Sequence, residues 1–294
     1  PAPGSLPALS LVIDDFRWRG RPLGRLELEA EQRAAAWQLD RLRLALPEAT
    51  LTGRGQWSAG QRSMLELTLE LADGGAFFER LGAGKGMLGA PGRIEGSLSW
   101  PGSPLSPSLA RIDGRVRVAL RGGRFLDAEP GVARLFGILS LQALPRRLLL
   151  DFRDVFQQGL AFDRIEGDIA LAGGQARTDN LRVLGVQAAV LIEGRADLVE
   201  ETQDLRIVAV PELNTAGASL AWAAINPAVG IGAFVAQLLL NKPVTAAATR
   251  EFHVTGPWAE PKVERVERLA SAAGPGPANP ASPPGPAGPA PNPP

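Results

Sequence analysis

The residues that most often serve as nucleophile, proton relay or zinc ligand, cysteine and histidine, are almost absent from this chain. It holds 294 residues with no cysteine and a single histidine, His253. That rules out thiol chemistry and thiolate metal sites, and one imidazole is too little for a zinc site or a Ser-His relay. His253 lies in a strand-like pattern and is read as structural. Gly84-Lys-Gly-Met-Leu-Gly89 matches GxGxxG, but Ala90-Pro91-Gly92 follows where a phosphate-binding helix should begin. Gly82-Ala-Gly-Lys85 lacks the Walker spacing, so both stretches are read as loop glycines. Asp151 with Asp154, and Asp163 with Glu166 and Asp168, could be drawn as hydrolytic carboxylate pairs. At strand edges and on an outer face they are better read as solvated charge. Arg146-Arg147 would either meet a lipid phosphate or satisfy carbonyls at a helix end. No catalytic residue, metal site or cofactor is expected.

The elements around these residues are strands. Leu65, Leu67, Leu69 and Leu71 alternate with Glu66, Thr68 and Glu70. Ile165, Ile169 and Leu171 alternate with Arg164, Glu166 and Asp168, while Val190 and Ile192, and Leu205 and Ile207, keep the same period. Leu26 and Leu28, then Leu42, Leu44 and Leu46, repeat it near the start. A period of two with one charged and one aliphatic face marks an antiparallel sheet with one wet face. The 31 basic and 31 acidic residues cancel, which argues against a nucleic-acid partner. Hydrophobic residues are 45% of the chain, enough to form a core.

A short unit recurs in the strands: Ile94-Glu-Gly-Ser-Leu98, Ile112-Asp-Gly-Arg-Val116, Ile165-Glu-Gly-Asp-Ile169 and Ile192-Glu-Gly-Arg-Ala196. Its glycine falls on the apolar parity, where repeated bends would let the sheet curl toward its apolar side. Trp100-Pro-Gly-Ser-Pro and Gly256-Pro-Trp-Ala-Glu-Pro read as strand exits of two repeated sections. Helical patterns are expected over Gly75–Leu81, residues 129–144 and residues 216–241. The last of these is uncharged and long enough to span a bilayer, but is interrupted by Pro227, Gly230 and Gly232. From Gly274 to Pro294 the chain is nearly all Pro, Ala, Gly, Asn and Ser and reads as a disordered tail. The start at Pro1 carries no signal-peptide pattern and is read as a cut from a longer protein.

The run Leu135-Phe-Gly-Ile-Leu-Ser-Leu-Gln-Ala-Leu-Pro-Arg-Arg-Leu-Leu-Leu-Asp-Phe-Arg-Asp-Val-Phe156 resembles the C-terminal region of the YhdP-like proteins of the AsmA-like, TamB-related envelope family. Gly159–Asp163, Gly194–Leu198, Glu201–Leu205, Asn226–Gly230 and Thr255–Trp258 extend the likeness from about Leu9 to Val266. The resemblance implies a periplasmic protein whose parent is anchored in the inner membrane. It also implies a role in moving phospholipids between inner and outer membranes, and no catalytic residues.

The expected fold is mainly β: a long curled antiparallel sheet forming an apolar groove, with a few short helices near the C-terminal end. Residues 1–8 and 267–294 would be disordered, 9–128 a β-groove section and 129–266 a section carrying the helices at 129–144 and 216–241. On the residues alone the aliphatic face is either a covered core or a bare surface filled by a ligand. As a lipid groove it would be lined by Leu67, Leu69, Ile94, Leu98, Ile112, Val116, Ile165, Ile169, Val190, Ile192, Leu205 and Ile207. Val229, Phe234 and Leu238 would touch the membrane, unless 216–241 plugs the groove instead. The partners would be phospholipids, bacterial membranes and an unidentified envelope protein. The alternative function is a scaffold or assembly factor for outer-membrane proteins, which would use the sheet edges.

Overall fold

A computed structural model describes residues 6–34, 36–58, 62–83, 85–126, 161–185, 188–211 and 249–266. Alternating sequence becomes one large antiparallel sheet. Its strands are β1 (Leu9–Ile13), β4 (Arg25–Arg33), β5 (Ala36–Ala45), β6 (Ala49–Ser58), β7 (Arg62–Leu71), β9 (Gly92–Pro101) and β10 (Asp113–Phe125). They continue as β11 (Ala161–Ala172), β12 (Gln175–Leu184), β13 (Ala188–Asp197), β14 (Thr202–Pro211), β15 (Arg250–Pro257) and β16 (Lys262–Arg265). Spatial order follows chain order along this path. The short β8 (Met87–Gly89) pairs with the end of β10, and β2 (Arg17–Trp18) with β3 (Arg21–Pro22) makes a separate hairpin. Thirteen strands on the path, spaced about 4.8 Å apart, give a sheet about 58 Å across.

Two expectations fail here. The sheet is open, with β1 and β16 at opposite edges, and it is neither closed nor strongly curled. The described α-helix, α1 (Gly74–Phe78), lies mid-chain rather than near the C-terminal end, continues into a wider helical turn at Glu79–Ala83, and matches the Gly75–Leu81 pattern. The stretches 129–144 and 216–241 fall outside the described residues. Curl was inferred from the glycines on the apolar parity, but their space goes to neighbouring strands. A Cβ on Gly53 would come 2.7 Å from Leu67 Cδ2, and one on Gly167 would come 2.7 Å from Leu181 Cα. These glycines let adjacent strands and their leucines lie close, and they need not bend the sheet.

Bulges keep the faces in phase. On β5, Trp37 and Leu39 precede a register shift and Leu42 and Leu44 follow it, so all four share a face despite opposite parity. On β12 the shift falls between Thr178 and Leu181. It is clamped from β11: Thr178 Oγ1 donates to the Asp168 carbonyl (2.8 Å), and Asn180 Oδ1 accepts from the Asp168 N–H (2.8 Å). Asn180 Nδ2 and Arg117 Nε also donate to the Asp168 carboxylate. Burial pushes that carboxyl up, but the Asn180 and Arg117 bonds outweigh it and hold its pKa below the ordinary value.

The helix α1 is fixed at one end of the sheet. Asp73 caps it by accepting from the Ala76 N–H at 3.0 Å. Arg80 then reaches Glu48, in the turn between β5 and β6, through Nε–Oε1 and through Nη2–Oε2 at 3.1 Å. Glu48 is 7% exposed, and the Arg80 hydrogen bond lowers its pKa. A lowered folded pKa means the pair stabilises above the unfolded value and is lost as pH falls through the folded one. Arg80→Ala should therefore cost about 2 kcal/mol at neutral pH. The gap in melting temperature between wild type and variant should shrink below pH 4.5; a gap constant with pH would assign the loss to packing alone.

Candidate functional site: an apolar sheet face

Cross-strand register carries the aliphatic parity across the whole sheet. One row runs Leu28, Leu42, Gly53, Leu67, Gly96, Val116, Ile169 from β4 to β11. The next runs Leu26, Leu44, Leu51, Leu69, Ile94, Val118, Gly167. Leu181 lies over Gly167 and continues it through Ile192, Ile207 and Phe252. Leu98 and Leu65 stand opposite each other one row away, Ile165 and Val190 flank Val183, and Leu205 pairs with Val254. Ile112 keeps the parity but precedes β10 and has no ladder partner.

Exposure divides this face. Leu67, Leu69, Ile94, Leu98, Ile112 and Val116 are half-buried. Ile165, Ile169, Val190, Ile192, Leu205 and Ile207 are all at 8% or below. The face is thus half-open from β4 to β9, mixed on β10, where Val118 and Leu120 are buried, and closed from β11 onward. Val229, Phe234 and Leu238 lie outside the described residues. The expected lining omitted Leu42, Leu44, Val118 and Leu181. Leu42 and Leu44 were visible as alternation, whereas the bulge hid the parity of Leu181.

The opposite face is charged and internally matched. Glu29 meets Arg41 (3.6 Å), Arg54 meets Glu66 (2.9 Å), and Arg206 bridges Glu193 (3.0 Å) and Glu251 (2.6 Å). The exposed pairs Glu29–Arg41 and Arg54–Glu66 contribute at most about 1 kcal/mol each, whereas Glu251 in the Arg206 bridge is buried. Two depressions of about 640 Å³ and 410 Å³ lie on this charged side, lined by such residues, and not on the apolar face. His253 belongs here: its Nε2 is 2.7 Å from Asp204 Oδ1, and Arg195 reaches the same carboxylate at 3.2 Å. Asp168 serves the bulge clamp, Glu166 faces Arg182 at 3.9 Å, and Asp163 is exposed; Asp151, Asp154, Arg146 and Arg147 lie outside the described residues. Met87–Gly89 is a strand and supplies no helix terminus for phosphate. Among the described residues no group of His, Cys, Asp or Glu could hold a metal, and no helix is long and apolar enough to cross a membrane.

The sheet thus presents one matched polar face and one continuous aliphatic face. The chain matches the YhdP protein family over residues 1–263 and belongs to that family. It is 29% identical over 221 residues to the intermembrane phospholipid transporter YhdP of Escherichia coli (strain K12), covering 74% of this chain. It spans 17% of the length of that relative. No solved structure matches the chain.

Proposed function

We propose that this chain is a non-enzymatic section of a periplasmic, inner-membrane-anchored lipid-transfer route that moves phospholipids between inner and outer membranes along its apolar face. The observation that carries the reading is the register-continuous aliphatic surface from β4 to β9, whose central leucines, Leu42, Leu44, Leu51, Leu67 and Leu69, are half-buried. The relative's transport of phospholipid between membranes supports it. A 16-carbon tail in water costs about 13 kcal/mol at about 0.8 kcal/mol per methylene. A surface without gaps lowers that cost at each step, and aliphatic lining discriminates weakly between tails. Of the twelve lining residues named from the sequence, the open six, Leu67, Leu69, Ile94, Leu98, Ile112 and Val116, are the proposed lipid contacts.

Protein purified without detergent should carry phospholipid detectable by mass spectrometry after organic extraction, in amounts comparable to the protein. Lipid-free protein that also fails to take up phospholipid from vesicles would remove this reading. One observation favours the assembly-factor alternative: edge strand β1 exposes Leu9 (39%), Leu11 (42%) and Val12 (55%). That function would survive the loss of lipid binding and would be blocked by proline at Leu11.

A further inference from the structure

The two long margins of the open face differ. At one, Trp37, Trp57, Ser63 and Trp100 stand in a single register row across β5, β6, β7 and β9. At the other, Ala49 pairs with Leu71, and Phe77 of α1 joins them in the same buried cluster. There Glu48 and Arg80 pair with each other. At the tryptophan margin the Trp37 indole donates to Pro7 O (3.0 Å), Trp100 to Ser103 O (3.0 Å) and the Ser63 hydroxyl to Gly102 O (2.8 Å). Trp57 is 1% exposed and its indole N–H has no partner. A buried donor left unmade is costly, and indoles suit a boundary that is apolar on one side and wet on the other. Leu6 packs over the Trp37–Trp57 pair from the segment that Trp37 holds.

Resting on the lipid reading above, we propose that the tryptophan margin is the headgroup end of this face. A glycerol-ester lipid lies with its tails parallel to the strands and its methyl ends toward Phe77. One ester carbonyl takes the place of Leu6 and accepts from Trp57 Nε1. The dimensions allow it. From Ser63 to Leu71 the face is about 27 Å wide, and the tails of one leaflet occupy about 15 Å.

The test uses the full chain with phosphatidylglycerol brominated either near the ester or near the methyl end. Near-ester bromine should quench tryptophan emission at least about twice as strongly; Trp37 and Trp100 keep part of that difference in Trp57→Phe, which keeps the apolar volume, and the triple variant Trp37→Phe/Trp57→Phe/Trp100→Phe should lose it. Retention of diester over diether lipid should be about fivefold in wild type, as expected for one neutral hydrogen bond, and about equal in Trp57→Phe. Circular dichroism and a thermal melt of that variant confirm its fold. Stronger quenching from the methyl end, with lipid bound, overturns the orientation and leaves the lipid reading standing. Equal ester and ether retention in wild type overturns the role of the Trp57 N–H. Absence of any bound lipid sinks the underlying reading and this inference with it.

Discussion

Ile192→Asp should unfold the C-terminal half of the sheet. Ile192 is 2% exposed, paired with Leu181 on one side and Ile207 on the other, with no cation facing it in that row. A carboxylate there must either stay charged in an apolar environment or take up a proton, and either costs about 4 kcal/mol. That is a large share of a domain's total stability. Urea denaturation should show a midpoint shifted far below wild type, and hydrogen exchange should show protection lost from β11 to β15 first. Ile192→Val should cost only about 1 kcal/mol. An Ile192→Asp protein with near-native stability would mean that this half of the face is hydrated, so that Ile192 belongs with the open surface and not with the core.

Much of this could be read from the residues, and the failures have physical causes. Alternation in Leu65–Leu71 and in Ile165–Leu171 placed the aliphatic face correctly, because a period of two is local and one wet face enforces it. Both tryptophan motifs stand at strand ends, Trp100 in β9 and Trp258 just after β15. Trp258 is buried and donates to Thr202 O (3.1 Å), as Trp100 donates to Ser103 O (3.0 Å), so each indole ties off a strand end. The bulges at Asp40-Arg41 and Asp179-Asn180 were not legible, because partner strands set them. Both the Asn180 and Thr178 clamps bond to Asp168, on a different strand. Curl was misjudged because a glycine on the apolar parity has two uses, a bend or a close approach, and only the facing atoms decide between them. The division between open and closed halves was invisible for a related reason. Leu69 and Ile192 have the same pattern in sequence, yet one is half-buried and the other sealed.

That division makes Leu69 the discriminating position for function. Leu69 is half-buried, opposite Leu51 on one side and Ile94 on the other, in the middle of the open face. An aspartate there can keep its water, so Leu69→Asp should cost no more than about 2 kcal/mol of stability. For a lipid tail the consequence is larger. A hydrated carboxylate forces about three neighbouring methylenes off the surface, worth about 2.4 kcal/mol, or about fiftyfold in retention. Leu69→Met, which preserves volume and apolarity, should retain lipid as wild type does. The measurements are phospholipid per protein by mass spectrometry after detergent-free purification, with a thermal melt of each variant. If Leu69→Asp folds and still carries wild-type amounts of lipid, tails do not travel over this face. The apolar rows between β4 and β9 must then be covered by protein instead.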